Sequence, residues 1–237
     1  MAKYQPKVFS VLGKLIQDES INLGDIDTSK IVYMAHLFYK TNRKDWSGIE
    51  TWDVSNVKNM LSMFEQSNFN GDISKWNVSN VKDMTAMFKG TNFNGDLSKW
   101  NTSNVKNMLS MFAFSNFNSD ISNWDVSSVK YMPKMFWHSA FNNDISKWDV
   151  SNVQDMAYMF AFSRFTGDIS KWKINDHIIV WNMFEGSNLL KIKVPKELEF
   201  IKKRCIDKYN LTNLMNTYFN RYGKDFLKDI FEDFNLV

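Results

Sequence analysis

Apolar residues along the chain return with a period of 24 residues, most plainly at Trp52, Trp76, Trp100, Trp124, Trp148 and Trp172. Behind each tryptophan the same columns recur. One unit runs Trp76, Val78, Val81, Met84, Met87, Phe88, Phe93 and Leu97, interleaved with polar Asn77, Ser79, Asn80, Lys82, Asp83 and Asp96. A fixed period of this length marks supersecondary units that bury their apolar faces against one another in a stack. Within a unit, Val57, Met60, Met63 and Phe64 have the spacing of one helical face, and Ser55 is placed to cap its start. The following stretch, Phe69 to Ser74, is too short and too tolerant of glycine for a helix. It predicts a strand pairing with its equivalents in the coils above and below, at about 4.8 Å. The pattern therefore predicts an α/β repeat solenoid with one short parallel strand and one short helix per 24-residue turn, and helical caps at both ends.

The period also divides the chain. Residues 1–22 are expected to form an N-terminal helical cap, with Val8, Leu12, Leu15 and Ile16 on one face; residues 23–190 carry the repeats and 191–237 form a C-terminal helical cap. The first repeat is degenerate: Ile31, Met34, Leu37 and Phe38 keep the core columns, but two extra residues precede Trp52. The last repeat keeps Ile179, Met183 and Phe184, inserts Trp181 and Asn182 in the usual spacing, and has Leu189 where a phenylalanine is due. A capped stack needs such atypical ends, because an open end exposes core and unpaired edges. Beyond the repeats, Pro195 opens a predicted helix bearing Leu198, Ile201 and Cys205. A second carries Leu211 to Tyr222 and a third Phe226 to Phe234; they either cap the last coil or form a partner-binding module.

Composition narrows the function classes. With 44% hydrophobic and 16% aromatic residues the chain can build a core, and it has no apolar run of the ~18 residues needed for a membrane span. Lys7, Ser10, Lys14 and Gln17 break up the start, so no secretory leader is expected. The single cysteine, Cys205, is neither near the start for lipidation nor able to form an internal disulfide. A cytoplasmic location is the expectation, with surface or virion as the alternative. Net charge is +3, with seven basic against six acidic residues before Thr51, twelve against thirteen in 51–190 and ten against seven from Lys191. There is no clustered basic field of the kind nucleic-acid binding uses, so no nucleic-acid partner is expected.

The run Trp-Asp-Val-Ser-Asn-Val-x-x-Met-x-x-Met-Phe, nearly letter for letter at Trp52, Trp124 and Trp148, resembles the BspA-like surface-protein repeat also known from mycoplasma lipoproteins. The resemblance covers about Thr51 to Lys173 and implies a leucine-rich-repeat-like solenoid used for binding or adhesion. Similar repeats occur in large DNA viruses, and the abundance of Asn, Lys, Ile and Phe suits an AT-rich genome, bacterial or viral.

A column that is the same in every turn is first a structural candidate. Asp72, Asp96, Asp120, Asp144 and Asp168 form one, and carboxylates stacked at strand spacing repel by about 1 kcal/mol per neighbour even in water. The lysines at 75, 99, 147 and 171 and capping of turn amides offset this, which favours a structural ladder over a calcium ladder or an acidic stripe. The serines at 55, 79, 103, 127 and 151, with Asn56, Asn80, Asn104 and Asn152, fit caps and inter-coil ladders. The paired methionines, Met60/Met63 through Met156/Met159, fit core packing better than soft-metal binding. His36, His138 and His177 fall in different turns at different positions, and no nucleophile–base constellation or phosphate loop is apparent. Neither catalysis, a cofactor nor a metal is expected.

Function in such an array belongs to positions that vary between turns. Immediately after the repeat phenylalanine stand Glu65-Gln66, Lys89-Gly90, Ala113-Phe114, Trp137-His138, Ala161-Phe162 and Glu185-Gly186, and a second variable column supplies Tyr131 and Tyr158. Stacked together, Phe114, Tyr131, Trp137, His138, Tyr158 and Phe162 have the composition of an interface hot spot. Either they meet a protein partner, whose identity and stoichiometry the chain does not encode legibly, or a terminal helix folds back over them. The expected function is a non-catalytic protein–protein interaction scaffold presenting a turn-varying surface. A cell-surface or virion adhesin and a carbohydrate-binding module are the alternatives.

Overall fold

The computed structural model describes residues 2–188, 191–203 and 205–206. The second and third predicted tail helices, and Leu189, lie outside the described residues. At the N-terminal end, α1 (Phe9–Gln17) buries Leu12 and Ile16 against the first coil, while Val8, Phe9 and Val11 face outward. At the other end, residues 196–203 are helical and bury Leu198 and Ile201.

Between them the chain stacks coil on coil. Parallel bridges join Tyr33, Asn59, Asp83, Asn107, Tyr131, Asp155 and Ile179 in one unbroken column. Inside the stack every repeat Trp, Met and Phe is buried. Phenylalanine rings 38, 64, 88, 112, 136, 160 and 184 stack at centroid spacings of 5.6–6.0 Å. Each indole also serves the backbone: Trp76 Nε1 donates to the carbonyl of Ile49 at 3.0 Å and Trp100 Nε1 to that of Ile73 at 3.1 Å. Trp52, Trp124, Trp148 and Trp172 repeat the bond into the preceding coil. A ring this large is thus fully buried without orphaning its N–H.

The segment expected to be a helix is instead a run of tight turns. Among the described residues no helix occurs between Trp52 and 188. Met63 N–H bonds the Met60 carbonyl, Glu65 that of Ser62 and Ser67 that of Phe64, each three residues back. Ser62 and Gln66, third residues of the first and last of these turns, have φ of +51° and +55°. Positive φ at that position is the requirement of a type II turn, and it interrupts any helix. The alternate amides turn outward to the neighbours: Met60, Ser62, Phe64 and Gln66 donate to Asp83, Thr85, Met87 and Lys89 at 2.7–3.0 Å. The helical-looking spacing of Val57, Met60, Met63 and Phe64 is satisfied by this ribbon, because consecutive turns bring the same positions onto one inner face. Coil-to-coil backbone pairing therefore runs through 58–66 and its equivalents; the stretch expected to be a strand, 69–74, forms a bridge of its own only at its last equivalent among the described residues, where Asp168 bridges Lys193. Ser55 caps no helix; its N–H bonds Asp53 Oδ1 at 2.9 Å, and its carbonyl accepts the Asn80 amide at 2.7 Å.

The first coil is anchored by a buried cation. Arg43 is 1% exposed and gives Nε to the Asp45 carbonyl at 2.7 Å, Nη2 to that of Ile21 at 2.7 Å and Nη1 to that of Ile16 at 3.1 Å. It thereby holds the C-terminal end of α1, where helix carbonyls lack intrahelical donors. Nearby, Gly48 at φ +89° lies so close to Gly24 that a Cβ would come within 2.1 Å of the Gly24 nitrogen. Both the dihedral and the space demand glycine where the turns Leu23–Asp25 and Ile49–Thr51 stack.

Candidate functional site

The residue after next from the repeat phenylalanine sits at positive φ in every coil: Lys40, Gln66, Gly90, Phe114, His138, Phe162 and Gly186. These positions stand on the outside of the stack, and the Gln66 and Phe162 side chains lean toward the following coil. A Cβ on Gly90 would touch Gln66 Cγ at 3.3 Å, and one on Gly186 would strike the Phe162 ring at 2.3 Å. The three aromatic members consequently form a column. His138 lies flat between Phe114 and Phe162, at centroid distances of 4.9 and 4.7 Å with interplanar angles of 9° and 10°. Phe114 and Phe162 remain 48% and 46% exposed. Glycine terminates the column at both ends, at 90 and 186, leaving a defined three-ring ladder.

Trp137 supports the ladder edge-on. Its ring meets Phe114 at 4.7 Å and 64° and His138 at 5.1 Å and 67°, both edge-to-face. Lys134 lies over the Trp137 ring at 5.1 Å and over Tyr158 at 5.5 Å, a cation shared by two π faces. The Tyr158 hydroxyl accepts from the Asn182 amide at 3.0 Å. Trp137 Nε1 is buried and has no hydrogen-bond partner among the described residues. Five of the six expected site residues, Phe114, Trp137, His138, Tyr158 and Phe162, are thus linked through ring contacts or Lys134.

Tyr131 is placed elsewhere. It belongs to the bridge column with Asn107 and Asp155, whereas Tyr158 belongs to the positive-φ column with Ser110, Lys134 and Asn182. The two tyrosines share no column because they are 27 residues apart, not 24. Tyr131 is 45% exposed and borders an open groove with Asn152, Gln154, Asp155, Asn175 and His177. Lys134 was overlooked in the sequence. Its signal was available: it replaces the small residues Ser62, Ala86 and Ser110 of its column, one coil before Tyr158.

The aspartate column takes local bonds. Asp72, Asp96, Asp120, Asp144 and Asp168 each accept the N–H of the serine two residues on at 2.8–2.9 Å. Bonds from that serine hold these carboxyls below the ordinary range; at Asp168, where Lys193 adds its charge at 3.3 Å, the value falls to about 2. Neighbouring aspartates oppose the shift but do not overturn it.

Among the described residues no helix is long and apolar enough to cross a membrane. No curated protein and no solved structure matches the chain. The sequence model of DUF285, described as a Mycoplasma protein of unknown function, matches residues 8–115 and again 91–196. Those overlapping matches take in α1, all the tryptophan repeats and the last coil, and the chain belongs to the DUF285 family.

Proposed function

We propose that the chain is a non-catalytic protein-interaction scaffold, a leucine-rich-repeat-like solenoid whose partner surface is the ladder Phe114–His138–Phe162 with Trp137, Lys134 and Tyr158 beside it. The observation that supports this reading most is the persistent exposure of Phe114 and Phe162 in a column that costs each non-glycine residue a left-handed backbone. Aromatic rings held rigidly by stacking lose little side-chain freedom on binding, which favours them as interface anchors. Tyr131 extends the surface along the groove rather than the ladder. The partner is a protein presenting an apolar face, and the scaffold works inside the cell.

The test replaces Phe114 or Phe162 by a photo-crosslinking phenylalanine in the native host and identifies what is captured. Capture of one protein, lost when His138 and the other phenylalanine are changed to serine, supports the scaffold. Failure to capture, or collapse of the fold in the serine variant, removes the ladder as an interface. The resemblance to BspA-like repeats favours a second reading, a surface or virion adhesin. Labelling of intact cells or particles by antibodies to the array separates the two.

A further inference from the structure

The aromatic ladder is closed at one end and open at the other. A Cβ on Gly186 would strike the Phe162 ring at 2.3 Å, so Phe162 lies across the place where that coil's side chain would stand. Gly90 differs. The three atoms nearest a Cβ there all belong to Gln66, at 3.3, 3.8 and 3.9 Å, and no Phe114 atom comes closer than these. His138 has Phe114 on one face and Phe162 on the other, at 4.9 and 4.7 Å. Phe114 therefore keeps one face with no ring stacked on it, on the side of the missing rung, and is 48% exposed. Gln66 and Phe114 stand two coils apart in this column, about 9.6 Å at strand-like spacing. A flat ring midway between them would sit about 4.8 Å from Phe114, inside the range of roughly 4.5–7 Å in which aromatic pairs attract.

We infer that this vacant rung is the specificity pocket of the ladder, and that it takes one tyrosine or tryptophan side chain from the partner protein. The rung matters to binding only where the ladder is the partner surface, as proposed for Phe114 and Phe162, and it fixes the chemistry that the partner brings. Phe114 supplies the platform. Its ring is steadied by His138 on the covered face and by Trp137 edge-on at 4.7 Å, so little side-chain freedom is lost when a ring docks. Gln66 supplies a polar rim: its side chain is exposed, and its carboxamide bonds no described residue. The amide oxygen is thus free to accept an indole N–H or a phenol O–H, which an aliphatic occupant does not offer. Lys89, next to Gly90, already gives its ammonium to Glu65 at 2.8 Å. A nucleobase on a phosphate backbone would want that charge for itself, so a protein aromatic suits the slot better. Only glycine leaves the rung empty, since the same column holds phenylalanine on a left-handed backbone at 114 and 162.

N-acetyl-tryptophanamide, titrated into the isotope-labelled full chain and followed by NMR, tests this. The side-chain amide of Gln66 and the backbone amides beside Gly90 should shift saturably, while N-acetyl-leucinamide leaves them unmoved. Gly90→Phe supplies the missing rung from the chain itself; it should melt cooperatively, as a column with phenylalanine at 114 and 162 allows, and should no longer bind the probe. Phe114→Leu keeps an apolar side chain but removes the stacking face, and should weaken the probe by about fivefold or more. It decides alone if Gly90→Phe does not fold. Gln66→Leu should erase a preference of about threefold or more for the tryptophan amide over the phenylalanine amide. A wild-type chain that does not bind the probe, whether its own segment fills the slot or the slot is too narrow, overturns the inference. Binding that survives both Gly90→Phe and Phe114→Leu overturns it too, as does adenosine binding more tightly than the probe. The scaffold fails on a separate result, the absence of capture by the crosslinker at Phe162; capture there that Gly90→Phe leaves unchanged removes the slot alone.

Discussion

Pro133 has no amide hydrogen to give, and Tyr131, two residues before it, has no short side-chain oxygen to receive one. In the equivalent turns the donor and acceptor are both present: Leu61 to Asn59, Thr85 to Asp83, Leu109 to Asn107 and Ala157 to Asp155, at 2.8–3.2 Å. The two substitutions occur together because each removes the other's need. Pro133 is tolerated in mid-ribbon because this amide takes no part in coil-to-coil pairing, while the Pro133 carbonyl still accepts from Ser110 at 2.9 Å.

Proline should therefore read out the ribbon's alternation. Leu109→Pro gives up one local bond and is expected to cost about 1 kcal/mol. Ser110→Pro loses a coil-to-coil bond and cannot adopt φ of +55°, so it should cost about 3 kcal/mol or more. Urea denaturation of the two variants decides it: equal losses would mean that the alternation has no energetic meaning.

Arg43 meets backbone carbonyls rather than a carboxylate, so its contribution is geometric as well as electrostatic. Arg43→Ala should destabilise the array by about 3 kcal/mol, since several charged hydrogen bonds are lost and three carbonyls are orphaned at once. Arg43→Lys should recover less than half, because one ammonium cannot span the three acceptors. Amide exchange should show α1 opening first in both variants; unaltered protection there would refute the anchor.

Gly186→Ala pits a methyl group against the Phe162 ring. The clash and φ of +65° together should cost about 1–3 kcal/mol. In a Phe162→Ser background the clash disappears and only the backbone component remains. A double-mutant cycle by thermal melting should thus show coupling above about 0.5 kcal/mol; simple additivity would mean that the ring does not rest on the glycine.

Acid should loosen the stack through the aspartate column. Their folded carboxyl pKa values lie below the ordinary 3.8, with Asp168 at about 2, so the folded state binds fewer protons than the unfolded one in that interval. The stabilisation is present above about pH 4 and is lost as pH falls toward 2. Replacing all five by asparagine keeps the turn acceptor, as Asn77 and Asn101 already supply it to Ser79 and Ser103. The variant should fold and lose part of the acid sensitivity in pH-dependent melts; an undiminished pH slope would place the titration elsewhere.

How far the site can be read from the chain differs residue by residue. Phe114, His138 and Phe162 share an offset from the core phenylalanine, so their column is visible by counting. Tyr131 and Tyr158 look alike in composition but occupy different columns, and counting by 24 separates them. Lys134 escapes because a single lysine in a repeat resembles ordinary surface, until two rings are seen to flank it.

The sequence by itself determined the period and which repeat residues are inside, because burial of Trp, Met, Phe and Val requires the same apolar residue in every coil. It did not determine the backbone between them. A spacing of i, i+3 and i+4 suits an α-helix and this run of tight turns equally, and most of the left-handed positions carry residues such as Ser, Ala, Lys and Phe, with glycine in their columns only at 90 and 186 among the described residues, so glycine does not reveal them. Only contact between coils decided the matter. An amide pointing along the stack finds a carbonyl in the next coil, which an isolated repeat does not possess.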